Sequence, residues 1–131
     1  MRTFLGQETM GTFKTLIRVA NPVRPTLYRD LDVLVDTGAT FTKLPEDILS
    51  ALDIGRSASK QTILADGRVV TRSSGHAQIT IDGVSDLVPV IFGAAGEMSF
   101  LGATTLEILG FMVDPITQRL VPRNFLEPIE S

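Results

Sequence analysis

The chain contains no cysteine, which removes disulfides, thiolate metal sites and cysteine nucleophiles together. It contains one histidine, His76, so a His-rich metal centre or a Ser–His relay has too little to draw on, and His76 reads as a strand or surface residue. Positive charge is also short: Lys and Arg total 12 against 15 Asp and Glu, a net charge of −3. Nucleic acid and anionic membranes are bound by clustered Lys and Arg, and neither is an expected partner. The longest apolar stretch, Leu87 to Ala95, falls far short of the ~20 residues that span a bilayer. Met1 to Glu8 carries no signal-type apolar core, so the expected location is cytoplasmic. Any chemistry must therefore rest on carboxylates, hydroxyls and backbone, with no metal and no cofactor.

What is present reads as one globular domain. Hydrophobic residues make up 44% and charged residues 21% of the chain, the balance of a folded protein rather than a disordered one. At 131 residues a single domain is expected over 1–131, with a core over about 12–121 and a tail over about 122–131. A domain near this size buries roughly two-thirds of its unfolded surface, enough for a real core.

Strand signals dominate, and an all-β fold follows. Phe13 to Val19 alternates apolar Phe13, Ile17 and Val19 with polar Lys14 and Arg18, the period-2 pattern of a half-buried strand. Asn21 to Pro25 reads as a loop, because two prolines remove donors and fix φ. Leu31 to Val35 is a β-rich run that ends at Asp36-Thr37-Gly38. Thr62 to Leu64 and Val69 to Thr71 flank Asp66-Gly67, which predicts a hairpin closed by a type I′ turn. Gln78 to Ile81 alternates and turns at Asp82-Gly83. Leu87 to Phe92, Phe111 to Val113 and Arg119 to Val121 complete the strands, with another turn at Asp114-Pro115. One or two short helices are expected. The first starts at Pro45-Glu46-Asp47, turns Ile48, Leu49 and Leu52 inward and stops at Gly55. The second spans about Thr104 to Leu109, with Gly110 as its C-cap.

A weak internal repeat runs through this pattern. Gly38-Ala39-Thr40 recurs as Gly102-Ala103-Thr104, each after an apolar run and each expected to lead into a short helix, which suggests two similar halves. The difference between the copies matters more than the likeness. Where the first has Asp36, the second has Phe100, so only one half carries a carboxylate.

Leu34-Val35-Asp36-Thr37-Gly38-Ala39-Thr40 resembles the active-site loop of aspartic proteases, in particular the retropepsins (retroviral-type proteases) and their cellular relatives. Phe100-Leu101-Gly102 with Ala103 to Gly110 resembles that family's second element, two hydrophobic residues and a glycine before a short helix. The hairpin around Asp66-Gly67 lies where the family has its flap. Asp-Thr-Gly alone is a weak signal; three elements in order at fitting distances are a more specific one. The resemblance implies a closed-barrel-like retropepsin fold of two pseudo-symmetric halves, and an aspartic endopeptidase that works as a homodimer on a peptide or protein substrate. It implies Asp36 as the catalytic residue, with Thr37 and Gly38 supporting the loop. Gly38, Ala39, Thr40, Ala65, Asp66 and Gly67 would bind substrate. Thr37 would hydrogen-bond across to the partner's loop. Retroviral members carry an Asp and an Arg, an ion pair that braces their dimer, where this chain has Thr40 and Ala103. Their joint absence orphans no charge, and it fits a cellular or prokaryotic member better than a viral one.

Two other classes are weighed. Asp36 to Thr42 loosely resembles the phosphorylated-Asp motif of phosphatases and phosphoryl-transfer ATPases. Those require a Mg²⁺ cage of further carboxylates and a parallel sheet with crossover helices, and the Lys after their Asp is missing here. A non-enzyme, a catalytically silent retropepsin-like dimerisation and peptide-binding module, has no physical need for an intact Asp-Thr-Gly.

Overall fold

Strands account for about half of the computed structural model, which describes residues 12–129. β1 (Lys14–Ala20) and β2 (Tyr28–Val35) pair antiparallel, with Lys14 opposite Leu34. Alternation along β1 buries Ile17 and Val19 and leaves Leu16 and Arg18 outside. The intervening loop is pinned by buried Asn21. Its side-chain oxygen accepts the N–H groups of Val23 and Arg24, both at 2.9 Å, and its amide donates to the carbonyls of Leu52 and Asp53.

The chain continues through β3 (Thr42–Pro45), α1 (Glu46–Ala51), β4 (Ala58–Ile63), β5 (Val69–Ile81), β6 (Val84–Gly93), β7 (Phe100–Leu101), α2 (Ala103–Leu109), β8 (Phe111–Asp114) and β9 (Arg119–Pro122). Six strands pair in the order β1-β2-β7-β3-β6-β5, and β1 pairs again with β5, Val19 opposite Ile79, to close the ring. The ring is uneven because β7 contributes two residues. β4 stays outside it, paired among the described residues with β5 alone. β8 and β9 form a separate hairpin whose turn is organised by Asp114, with Oδ1 accepting the Ile116 N–H at 2.9 Å. This all-β architecture with two short helices agrees with the sequence reading. No helix among the described residues is long and apolar enough to cross a membrane.

The core fills the ring with Val33, Val35, Leu44, Ile79, Ile81, Val88 and Val90, and α1 and α2 close it with Leu49, Leu52, Leu106 and Leu109. Each such side chain, fully buried, contributes about 1.5–3 kcal/mol. That explains how a strand as short as β3 keeps its place. Leu44 is fully buried, and the strand is flanked by a parallel β6 and by β7.

Several local expectations need correction. The first Gly-Ala-Thr copy does precede a short helix, α1, but a strand that the sequence reading left out lies between them. β3 intervenes, because Thr42 and Leu44 alternate inward with Lys43 between them. α1 ends before Gly55: Asp53 takes the left-handed conformation at φ 58, and the Ile54 N–H returns to the Leu49 carbonyl. At Asp66-Gly67 only Gly67 has positive φ, at 89. The N–H groups of Leu64 and Gly67 bond the carbonyls of Arg68 and Leu64 respectively, a longer turn with glycine at its left-handed position. The type I′ pattern forms instead at Asp82-Gly83, with φ 49 and 80 between the paired Ile81 and Val84. The two strands expected at 69–71 and 78–81 are one, β5. In the tail, β9 runs to Pro122 and 123–129 has no regular structure. The Met1 to Glu8 segment and the last two residues lie outside the described residues.

Candidate active site

β2 delivers Asp36 from the centre of the ring. Val33 and Val35 are buried, Leu34 and Val35 pair parallel with Phe100 and Leu101 of β7, and the Asp36 N–H donates to the Leu101 carbonyl at 2.9 Å. The chain then folds back on the carboxylate. Asp36 Oδ1 accepts the Gly38 N–H at 3.0 Å, and the Asp36 carbonyl accepts the Ala39 N–H at 3.1 Å. This is the local hydrogen-bonding habit of Asp in a turn. A Cβ on Gly38 would stand 3.2 Å from Oδ1, so a side chain there would press on the group that holds the loop. Asp36 Oδ2 has no hydrogen-bond partner among the described residues.

The second half supplies the seat. α2 begins at Gly102 with no side-chain cap, and its first backbone donors would otherwise be unsatisfied. The Asp36 loop accepts them: Ala103 N–H to the Ala39 carbonyl at 2.8 Å, Thr104 N–H to the Thr40 carbonyl at 2.9 Å. The two copies of the repeat thus bind each other. Thr40 and Ala103, the positions without the family's ion pair, lie on segments already joined by backbone bonds. Beneath them the Gly102 N–H donates to Thr42 Oγ1 at 3.0 Å, and the hydroxyls of Thr42 and Thr105 bond at 2.7 Å, both fully buried. The approach is close enough that a Cβ on Gly102 would lie 2.5 Å from the carbonyl carbon and oxygen of Phe41.

Above the loop lies a cleft of about 650 Å³. Asp36, Gly38, Ala39, Thr40 and Phe41 form its floor, Gln61 to Ala65 of the β4–β5 hairpin cover it, and Lys43, Arg72, Ile91 and Phe100 form its wall. Of the residues singled out from sequence, Asp36, Gly38, Ala39, Thr40 and Ala65 meet in this cleft, while Thr37, Asp66 and Gly67 do not line it. Thr37 is exposed, and its hydroxyl has no partner among the described residues. Asp66 turns back to its own hairpin. The Arg68 N–H and guanidinium, at 3.0 and 2.8 Å, hold its carboxyl below the ordinary carboxylate range. His76 is exposed on β5 and does not line the cleft.

Sequence reasoning missed the charged wall. Lys43 and Arg72, each with a side chain 15% exposed, both bind the Glu97 carboxylate, at 3.4 and 2.5 Å. Burial pushes Glu97 upward, but hydrogen bonds from Arg72 and the Ala94 N–H, with the Lys43 and Arg72 charges, outweigh it and hold the carboxyl below its usual range. The signal for Lys43 was its place between two inward residues, which only a correct assignment of β3 would have exposed. Lys60 Nζ lies 4.9 Å from the Phe41 ring centroid, linking β4 to the loop by a cation–π contact.

Asp36 is the one carboxylate among the described residues that line the cleft. No group of three or more His, Cys, Asp or Glu that could hold a metal ion occurs among the described residues. Comparison with known proteins places these elements together. A family model described as aspartyl protease matches residues 28–113, from the start of β2 into β8, and so includes the Asp36 loop, the hairpin and α2. No curated protein matches the chain.

Proposed function

The chain belongs to a retropepsin-like aspartyl protease family, and from that premise we propose that it is an aspartic endopeptidase whose active site is completed by a second copy of itself. The observation that carries this reading is the single carboxylate in the cleft. Cleaving an amide with water and no metal requires a base for the water and an acid for the carbonyl and the departing amine. One protomer offers only the first.

A two-fold axis beside the loop supplies the rest, since an isologous interface presents the same patch twice. Two Asp36 carboxylates brought within hydrogen-bonding reach retain one proton between them, because like charges at that distance do not both ionise. The ionised one removes a proton from water, and the protonated one hydrogen-bonds the scissile carbonyl as the hydroxide adds. Collapse of the tetrahedral intermediate then breaks the C–N bond and passes a proton to the amine. Water is added across one amide, and both carboxyls return to their starting state. Activity should favour acidic or mildly acidic pH, where the pair holds its one proton.

Local geometry supports these roles. Oδ1 is held by Gly38, while Oδ2 has no partner within the described chain. Thr37 presents an exposed hydroxyl beside the loop, suited to bond the partner's loop. Among the described residues β4 pairs on one edge only, and an extended peptide would add there as a further strand. In this reading the β4–β5 hairpin is a flap that covers the peptide and excludes water.

Size-exclusion chromatography with light scattering should give twice 14.2 kDa, and Asp36→Asn should keep fold and dimer yet lose all proteolysis. A strict monomer at micromolar concentration, or cleavage that survives the substitution, overturns the shared-carboxylate mechanism. A dimeric parent inactive across a broad peptide and pH panel would instead mark a silent peptide-binding module.

A further inference from the structure

The charged wall of the cleft has no part in the proposed hydrolytic chemistry, yet its two cations line the space a bound peptide would enter. Lys43 projects from β3 on the face opposite the buried Thr42 and Leu44. Arg72 comes from β5, on the strand that leads down from the hairpin. Both line the cleft; Glu97, which binds them, does not. Glu97 sits on the turn between β6 and β7, where its Oε1 also accepts the Ala94 N–H at 2.9 Å. The arrangement is thus two cations facing the cleft and one anion behind them.

The donors are not used up. A guanidinium has five N–H groups and an ammonium three. Glu97 takes one nitrogen of Arg72 at 2.5 Å and Lys43 Nζ at 3.4 Å, and neither side chain has another hydrogen-bond acceptor among the described residues. Cations this shielded gain from an anion that replaces lost water. Around them are Ile91 and Phe100, with Lys43 Nζ 5.2 Å from the Phe100 ring centroid. A short aliphatic stem ending in a carboxylate matches that surface. We propose that Lys43 and Arg72 form a specificity subsite for an acidic side chain of the substrate, held in place by Glu97. The subsite rests on the peptidase reading for its substrate. In the dimer the two-fold would repeat it, so the preference falls at one position on each side of the scissile bond.

The test scans a Glu/Gln pair through every position of a cleavable peptide, at a pH above the substrate carboxyl's own value of about 4.3. Cleavage by the full chain is read as kcat/KM, and binding of the same peptides to the Asp36→Asn variant as Kd. At the two symmetric positions Glu should exceed Gln about tenfold in both readouts, the scale of one charge-assisted hydrogen bond after desolvation. Lys43→Met should bring the Glu/Gln ratio close to one. Glu97→Gln, which removes the compensating anion and keeps the side chain's shape, should raise it. A merely structural cluster would not move the ratio in opposite directions. Equal treatment of Glu and Gln at every position by the unmutated chain overturns the subsite while leaving the peptidase intact. A Glu preference in binding without any cleavage upholds the subsite and removes the peptidase.

Discussion

Gly102→Ala tests how the two halves hold the Asp36 loop. The new Cβ would lie 2.5 Å from both the carbonyl carbon and oxygen of Phe41 and 3.0 Å from the Ala39 oxygen. Carbon contacts are favourable at ~3.5–4.0 Å, so the loop and α2 would have to separate by roughly 1 Å. All the atoms struck are backbone, and no rotamer change can relieve them. The loop is also pinned at this level by the Ala103–Ala39 and Thr104–Thr40 bonds, at 2.8 and 2.9 Å, and by the Gly102–Thr42 bond at 3.0 Å. Overpacking a well-filled site costs about 1–3 kcal/mol, and breaking one of these bonds adds about 1 kcal/mol.

A loss of about 3 kcal/mol is therefore expected. At ~2.1 cal/mol/K per residue it lowers Tm by roughly 10 °C, with protein concentration held constant because the proposed dimer would be linked to stability. The matching control is Gly55→Ala, where a Cβ meets nothing within 4 Å and φ lies outside the left-handed region. It should be neutral or stabilising by up to ~1 kcal/mol. Circular dichroism melts and urea titrations of both variants measure the difference. Displacement of the loop carries Asp36 with it, so kcat should also fall about a hundredfold at temperatures where the variant is folded. A Gly102→Ala protein within ~0.5 kcal/mol of the parent, or one as active, would refute the close-approach reasoning.

Thr105→Val removes one partner of the buried hydroxyl pair with Thr42 at nearly constant volume. It should cost about 1–3 kcal/mol in urea unfolding, with Thr105→Ser recovering most of it. Glu97, held below its ordinary 4.5, contributes stability that is fully present above that value and is lost as pH falls through the lower folded value. Glu97→Gln should flatten the pH dependence of unfolding below about 4.5 and leave the slope above it unchanged; equal slopes in the acid range would contradict the assignment.

The parts of this fold legible in sequence are those whose cause is local. Alternation in β1, the apolar face of α1 and the left-handed Gly110 after α2, at φ 82, each follow from a few adjacent residues. The missed parts depend on distant ones. β3 has four residues, one of them Lys, and is a strand only because β6 and β7 flank it. Asp66-Gly67 carries the letters of a type I′ turn, but the register between β4 and β5, with Ile63 opposite Val69, leaves five residues to close the hairpin and so dictates a different turn. The site divides the same way. Asp36 and its loop stand out as a motif. The Lys43–Arg72–Glu97 wall joins two strands and a turn, with Glu97 lying 25 and 54 residues from its two partners, and no spacing rule links them.

The repeat shows why half a site needs a whole fold. If the two Gly-Ala-Thr copies were independent structural units, each would have to satisfy its own exposed backbone groups. Instead the carbonyls of Ala39 and Thr40 in the first copy meet the N–H groups of Ala103 and Thr104 in the second. The second copy is free to lose a carboxylate, and Phe100 at that position becomes part of the cleft wall. It is not free to lose Gly102, where any side chain would strike the loop. Its role is thus to seat the Asp36 loop. Under the proposed mechanism the second Asp would be supplied by an identical loop on another protomer, seated in the same way, which would keep the two carboxylates equivalent until they share a proton.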